Sequence, residues 1–113
     1  MTKKKSVYGP DERVDTYEVV HKMTNCIGGL RRGYLAKTAR IYGTSPTRLR
    51  SVLKRDIPPP TLDTLVIWAH KLYVKTGVRV VLTATPDFKL YYSIIDARHE
   101  KIDGVITRTK TSL

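Results

Sequence analysis

The segment from Val19 to Arg55 contains no acidic residue, although it fills about a third of the 113-residue chain. It holds nine lysines and arginines, so it carries +9 of the chain's net charge of +11. The flanks are closer to balance, with four bases and four acids in residues 1–18 and eight bases against six acids in residues 56–113. Charge of one sign at this density repels itself unless an anionic partner neutralises it. The segment therefore indicates binding to a nucleic acid.

The remaining composition limits the class of protein. With 113 residues and 41% hydrophobic content, the chain fits one small domain with a modest core. The single cysteine, Cys26, excludes an intramolecular disulfide, and the three scattered histidines form no metal-binding motif with it. No apolar run is long enough to span a membrane, and no residues have the spacing of a catalytic site. We therefore expect a cytoplasmic, nucleoid-associated binding protein that uses no cofactor, metal or catalytic residue.

Apolar residues recur at helical spacing in four segments. Gly43 and Gly77 each follow the last apolar residue of a segment, where glycine commonly ends a helix. Ser45 precedes Pro46, and this pair is typical of a helix start. The four predicted helices are about 13–27, about 30–42, Pro46 to about Arg55, and Thr61 to about 77.

The pattern changes from residue 78, where β-branched and aromatic residues dominate. Two such runs, 78–83 and 88–95, predict a β-hairpin. Asp103-Gly104 predicts a further turn before a short third strand at 105–109. The expected fold is mainly α, a bundle of four to five helices with a C-terminal β-hairpin. The predicted divisions are a flexible basic arm at 1–12, a helical DNA-binding domain at 13–77 and a hairpin extension at 78–113.

Residues 35–54, LAKTARIYGTSPTRLRSVLK, carry a motif with a clear physical reason for its spacing. Ala39 is small where two steeply crossing helices touch, and Gly43 permits the positive φ of a tight turn. Leu49 and Val52 then tie the second helix to the core. This arrangement resembles the helix-turn-helix of bacterial and phage repressors.

The sequence that follows the motif extends the resemblance. The segment PPPTLDTLVIWAHKL resembles the fourth helix of the lambda-repressor-like family, also called Cro/CI or XRE. Thr38, Pro46 and the basic stretch GGLRRG depart from that family's usual pattern. The resemblance implies a transcriptional regulator, of a phage, plasmid or bacterial repressor type, that binds double-stranded DNA as a homodimer. The matching residues are Pro60, Leu62, Thr64, Leu65, Ala69 and Leu72.

The helix beginning at Pro46 is the candidate recognition helix. Leu49 and Val52 share its apolar side, which leaves small polar residues and arginine for a DNA major groove. Arg50 can pair with guanine, and Thr47 can touch a thymine methyl group. The base-reading candidates are Ser45, Pro46, Thr47, Arg50 and Ser51. The candidates for phosphate contacts, which fix the register of binding, are Arg31, Arg32, Lys37, Arg40, Arg48, Lys54 and Arg55, with lysines 3–5 as a tail.

Two other functions remain open from the sequence. The chain is an antitoxin if the C-terminal extension binds a toxin, and a toxin or an anti-repressor is then its protein partner. It is a small basic RNA-binding protein if its charge serves RNA, although charge segregated into one segment favours this less. We expect the hairpin at 78–95 to form the dimer. The alternative is a wing that touches DNA, because Arg79 and Lys89 lie on it.

Overall fold

The computed structural model describes residues 14–28, 31, 33–86 and 89–106. The predicted arm at 1–12, Arg32, and residues 107–109 of the predicted third strand lie outside these ranges. Four helices precede a three-stranded sheet in the described chain. The helices are α1 (Tyr17–Asn25), α2 (Tyr34–Tyr42), α3 (Pro46–Leu53) and α4 (Leu62–Thr76), and the strands are β1 (Arg79–Ala84), β2 (Leu90–Ile95) and β3 (Lys101–Ile106).

Capping residues fix the ends of α4. Thr61 has an extended backbone, and its hydroxyl oxygen accepts a hydrogen bond from the backbone N–H of Thr64 at 3.2 Å. Asp63 lies in the first turn, where a negative charge complements the helix dipole. Gly77 ends the helix in the left-handed conformation, with a φ of 80°. The sequence places both ends of this helix correctly to within a residue.

The N-terminal helix starts later than its apolar spacing predicts, at Tyr17 rather than about residue 13. Two hydrogen bonds tie this start to the segment before α4. The Thr16 hydroxyl donates to the Pro60 carbonyl at 2.7 Å, and the Tyr17 hydroxyl donates to the Ile57 carbonyl at 2.6 Å. These long-range contacts hold Thr16 in a non-helical conformation. The spacing of apolar residues does not predict them, because their partners are distant in the sequence.

The three strands form an antiparallel sheet in the order β1-β2-β3. The turn between β2 and β3 is built around Asp96, whose carboxylate accepts hydrogen bonds from the backbone N–H groups of Glu100 at 3.0 Å and Arg98 at 2.9 Å. These bonds, that of Glu100 first, lower the pKa of Asp96. The prediction of a turn at Asp103-Gly104 is wrong, because Gly104 lies inside β3 opposite Tyr92.

The prediction of a mainly α fold is also wrong, since helix makes up 47% and strand 22% of the described residues. The sheet is part of the core rather than an appendage to it. Leu90, Tyr92 and Ile94 of β2 are buried in one cluster with residues from all four helices. Helix α1 packs against β2 and β3 as well as α3, and α4 packs against β1 as well as α2. The sheet therefore closes the side of the bundle that the helices leave open.

Candidate nucleic-acid interface

A tight turn joins α2 to α3. Gly43 ends α2 with a φ of 81°, in the left-handed region that favours glycine. The backbone N–H groups of Gly43 and Thr44 both donate to the Ala39 carbonyl at 2.9 Å, which satisfies the C-terminal end of α2. Ser45 then caps α3, since its hydroxyl oxygen accepts from the backbone N–H of Arg48 at 3.1 Å. This geometry is the helix–turn–helix arrangement that the glycine and serine predict.

Buried contacts hold the two helices in place. Ala39 is fully buried, as a small residue at a helix–helix contact should be, and Leu49 and Val52 bury the inner side of α3. The ring of Tyr42 stacks on that of Trp68 with centroids 4.9 Å apart, which joins α2 to α4. Trp68 is thus a core residue.

The hydroxyl of Tyr42 is held inside the core. It lies 3.1 Å from the hydroxyl of Thr24, a distance at which the two groups share a hydrogen bond between α1 and α2. Burial raises the pKa of Tyr42 above the ordinary value of a phenol. Helices α1 and α2 are therefore joined by a hydrogen bond inside the core.

The predicted base-reading residues lie on the outer side of α3 and at its start. Thr47 and Arg50 are exposed, and Ser51 is partly buried. Ser45 is exposed, but its hydroxyl oxygen accepts the hydrogen bond that caps α3, so its role in this structure is to begin the helix. Pro46 occupies the first helical position. The exposed edge of α3 therefore offers threonine and arginine side chains near its N-terminal end.

The predicted phosphate-contacting residues in the described chain are also exposed, and they are Arg31, Lys37, Arg40, Arg48, Lys54 and Arg55. Within the described ranges, salt bridges form only between Lys22 and Glu18 and between Arg98 and its neighbours Asp96 and Glu100. No base from Arg31 to Arg55 has an acidic partner among those pairs. The described bases from Arg31 to Arg55 therefore carry unneutralised charge at the surface, whereas Lys22 is paired with Glu18.

Arg55 has a second, structural role. It ends α3 with a φ of 62°, which is strained for a residue with a side chain, and its guanidinium lies 5.0 Å from the centroid of the Tyr17 ring. The backbone N–H of Asp56 donates to the Ser51 carbonyl at 2.8 Å and closes the helix end. Arg55 is therefore placed by backbone geometry and by a contact with α1.

Two basic residues next to this surface are absent from the sequence-based site. Lys71 and Lys75 are exposed on α4, and the Lys71 ammonium lies 2.8 Å from the position that a Cβ atom on Gly43 would occupy. In the sequence these lysines lie outside the acid-free segment and suit the C-terminal end of a helix. Only the packing of α4 against α2 brings them to the turn.

Other classes of site have little support in the described residues. Histidine, cysteine, aspartate and glutamate side chains in the described ranges form no group of three or more able to hold a metal ion. None of the described helices has both the length and the apolar character needed to cross a membrane. Comparisons with protein-family models, with curated proteins and with solved structures found no match.

Proposed function

We propose that the protein binds double-stranded DNA and regulates transcription, with α3 in the major groove. One observation carries the proposal: α2, the Gly43 turn and α3 form a packed helix-turn-helix. Its outer side presents arginine and lysine that have no acidic partner among the described residues. Buried Leu49 and Val52 leave Thr47 and Arg50 facing outward. A helix with this distribution can enter a major groove and hydrogen-bond to base edges. The lambda-repressor-like resemblance supports the same role, for a cytoplasmic regulator of phage, plasmid or bacterial type.

Two groups of side chains have different roles in the proposed complex with DNA. Arg50 reads a base, and arginine pairing with guanine is the commonest specific contact of this kind. Arg40 and Arg55, together with the other exposed bases, contact phosphates and fix the position of the helix without reading sequence. The two groups are distinguishable by experiment because only the first contributes to preference for one sequence over another.

Arg50→Ala is expected to lose about 1–3 kcal/mol of binding to a site selected from a random duplex pool, and to relax preference at one base position. Arg40→Ala is the matched comparison, because it also replaces an exposed helical arginine with alanine. We expect Arg40→Ala to weaken selected and shuffled DNA alike. Fluorescence anisotropy on both duplexes measures this. Equal losses for both variants on both duplexes would show that α3 does not read bases.

We further propose that the protein acts as a homodimer, because one α3 helix reads only a few base pairs. The sequence-based hypothesis places the dimer on the hairpin, whose outer face exposes Val81. Helix α4 offers a more exposed apolar surface, made of Val66, Ile67 and Tyr73. Val66 is 50% exposed whereas Val81 is 42% exposed. Burial of the α4 surface therefore removes more apolar area from water, which favours α4 as the interface.

Val66→Glu is expected to shift the protein toward monomer, because it places a charge in the proposed α4 interface. Val81→Glu is the matched control and is expected to leave the dimer intact. Sedimentation velocity at equal concentrations measures both variants against the unmodified chain. Loss of the dimer in Val81→Glu alone would return the interface to the sheet, and a monomeric unmodified chain would reject the dimer.

A further inference from the structure

A second basic surface adjoins the helix-turn-helix. A groove with a volume of about 360 Å³ runs between the C-terminal end of α2 and the outer side of α4. Its floor is apolar and its walls are basic. The groove is lined by Arg40, Ile41, Gly43, His70, Lys71, Val74 and Lys75.

The charges in this groove have one sign. Arg40, Lys71 and Lys75 each bring a positive charge, and no acidic residue of the described chain lines the groove. None of the three takes part in the salt bridges formed among the described residues. Three cations that face a shared concavity without counter-charges repel one another, and an anion placed between them relieves that repulsion.

A structural role accounts for part of the arrangement. Lys71 lies over the C-terminal end of α2, where a positive charge interacts favourably with the helix dipole. Lys75 lies in the last turn of its own helix and gains in the same way. Neither interaction requires Arg40, Lys71 and Lys75 to converge on one groove. Interaction with helix dipoles therefore explains the position of each lysine separately, but not why both lysines and Arg40 line one groove.

We propose that this groove, called here the α2–α4 groove, binds a phosphate group of the DNA backbone. The groove includes Gly43, so it is continuous with the turn that leads into α3. The inference rests on the proposed function for its source of phosphate, and it extends the DNA contact from α3 onto α4. It adds Lys71 and Lys75 to the phosphate-contacting residues, so that Arg40 and the two lysines contact the phosphate together.

The chemistry of the walls suits a phosphate diester. The planar guanidinium of Arg40 can donate two parallel hydrogen bonds to phosphate oxygens, and the two lysine ammonium groups add mobile point charges. Ile41 and Val74 on the floor offer no hydrogen bond to a base edge. The α2–α4 groove therefore contributes affinity and salt dependence but no sequence preference.

The test compares two variants that each lose two positive charges. Lys71→Gln/Lys75→Gln changes the α2–α4 groove, whereas Arg98→Gln/Lys101→Gln removes exposed charges at the β2–β3 turn and on β3. Each contacted phosphate contributes about 0.9 to the slope of log K against log salt. We expect the groove variant to lower the magnitude of this slope by about 0.9 on duplex DNA, since the groove contacts one phosphate. The sheet variant is expected to change it by only a small part of that amount.

The outcomes separate this inference from the proposed function. If the two variants have equal slopes while the unmodified chain has a steep one, the groove does not bind a phosphate. The proposal of DNA binding would then remain. A flat slope for the unmodified chain would reject DNA binding itself. Calorimetric titration with inorganic pyrophosphate, in the absence of DNA, tests whether the ligand of the groove is a free anion. Saturable pyrophosphate binding that the groove variant loses, with no change in its DNA slope, would replace the backbone phosphate with a free one.

Discussion

Truncation after Gly77 is expected to unfold the helical part of the chain rather than release a stable domain. Five of the 17 buried hydrophobic residues in the described chain lie beyond this point: Val78, Leu90, Tyr92, Ile94 and Ile106. Without the sheet, α1 loses its packing against β2 and β3, which leaves its buried side chains Val19, Val20 and Met23 with less apolar cover. Large-to-small changes at single core positions already cost about 2–5 kcal/mol, whereas small domains are stable by about 5–15 kcal/mol.

Circular dichroism at 222 nm during heating measures the effect. The full chain is expected to melt in one cooperative transition, and the truncated chain to show low helicity without a transition. A truncated chain that melts cooperatively within a few degrees of the full chain would show that the helices fold alone. That result would support the predicted domain boundary between residues 77 and 78.

Gly104→Val is expected to destabilise the protein by about 3 kcal/mol, near the upper end of typical overpacking costs. A Cβ atom on Gly104 would overlap the ring of Tyr92, which lies directly opposite in β2 and is buried. Valine is a strong strand former, so strand propensity alone predicts a gain of stability instead. The sign of the change therefore separates the two explanations.

Val105→Ala is the control for this experiment, since Val105 is the exposed neighbour of Gly104 and its loss should cost little. Urea denaturation gives the free energy of unfolding of both variants. Replacement of Tyr92 by Leu should reduce the cost of Gly104→Val, because the two residues occupy one space. A Gly104→Val protein as stable as the unmodified chain would mean that the Tyr92 ring does not fill this site.

Local chemistry explains which parts of the fold could be predicted from sequence. Gly43, Ser45, Thr61 and Gly77 act through their own backbone and neighbouring N–H groups, so the ends of α3 and α4 agree closely with prediction. The burial of Ala39, Leu49 and Val52 follows the spacing of the motif in the same way.

The parts that sequence reasoning missed depend on contacts distant in the chain. The start of α1 is fixed by bonds from Thr16 and Tyr17 to residues more than 35 positions away. Gly104 resembles a turn residue, yet it is a strand residue because the Tyr92 ring needs the space. The role of the sheet in the core was missed for a related reason: alternating apolar residues predict strands but not what the strands cover.

The candidate site shows the same difference between features set by local sequence and features set by distant contacts. The acid-free segment and the helical wheel of α3 predict the exposed bases and the outward position of Thr47 and Arg50, both of which the structure has. The α2–α4 groove brings together Arg40 and two lysines more than 30 positions later. No pattern along the chain contains that juxtaposition, because it arises where α4 packs against α2.

The most direct test of DNA binding is the salt dependence of affinity for a selected duplex. With six to ten phosphates contacted, log K should fall against log salt with a slope of roughly −5 to −9. The measurement is fluorescence anisotropy on the duplex and, in parallel, on single-stranded RNA of the same sequence. We expect the steep slope on the duplex together with weaker binding to the RNA. A slope near zero, or tighter binding to the RNA, would contradict the proposed function.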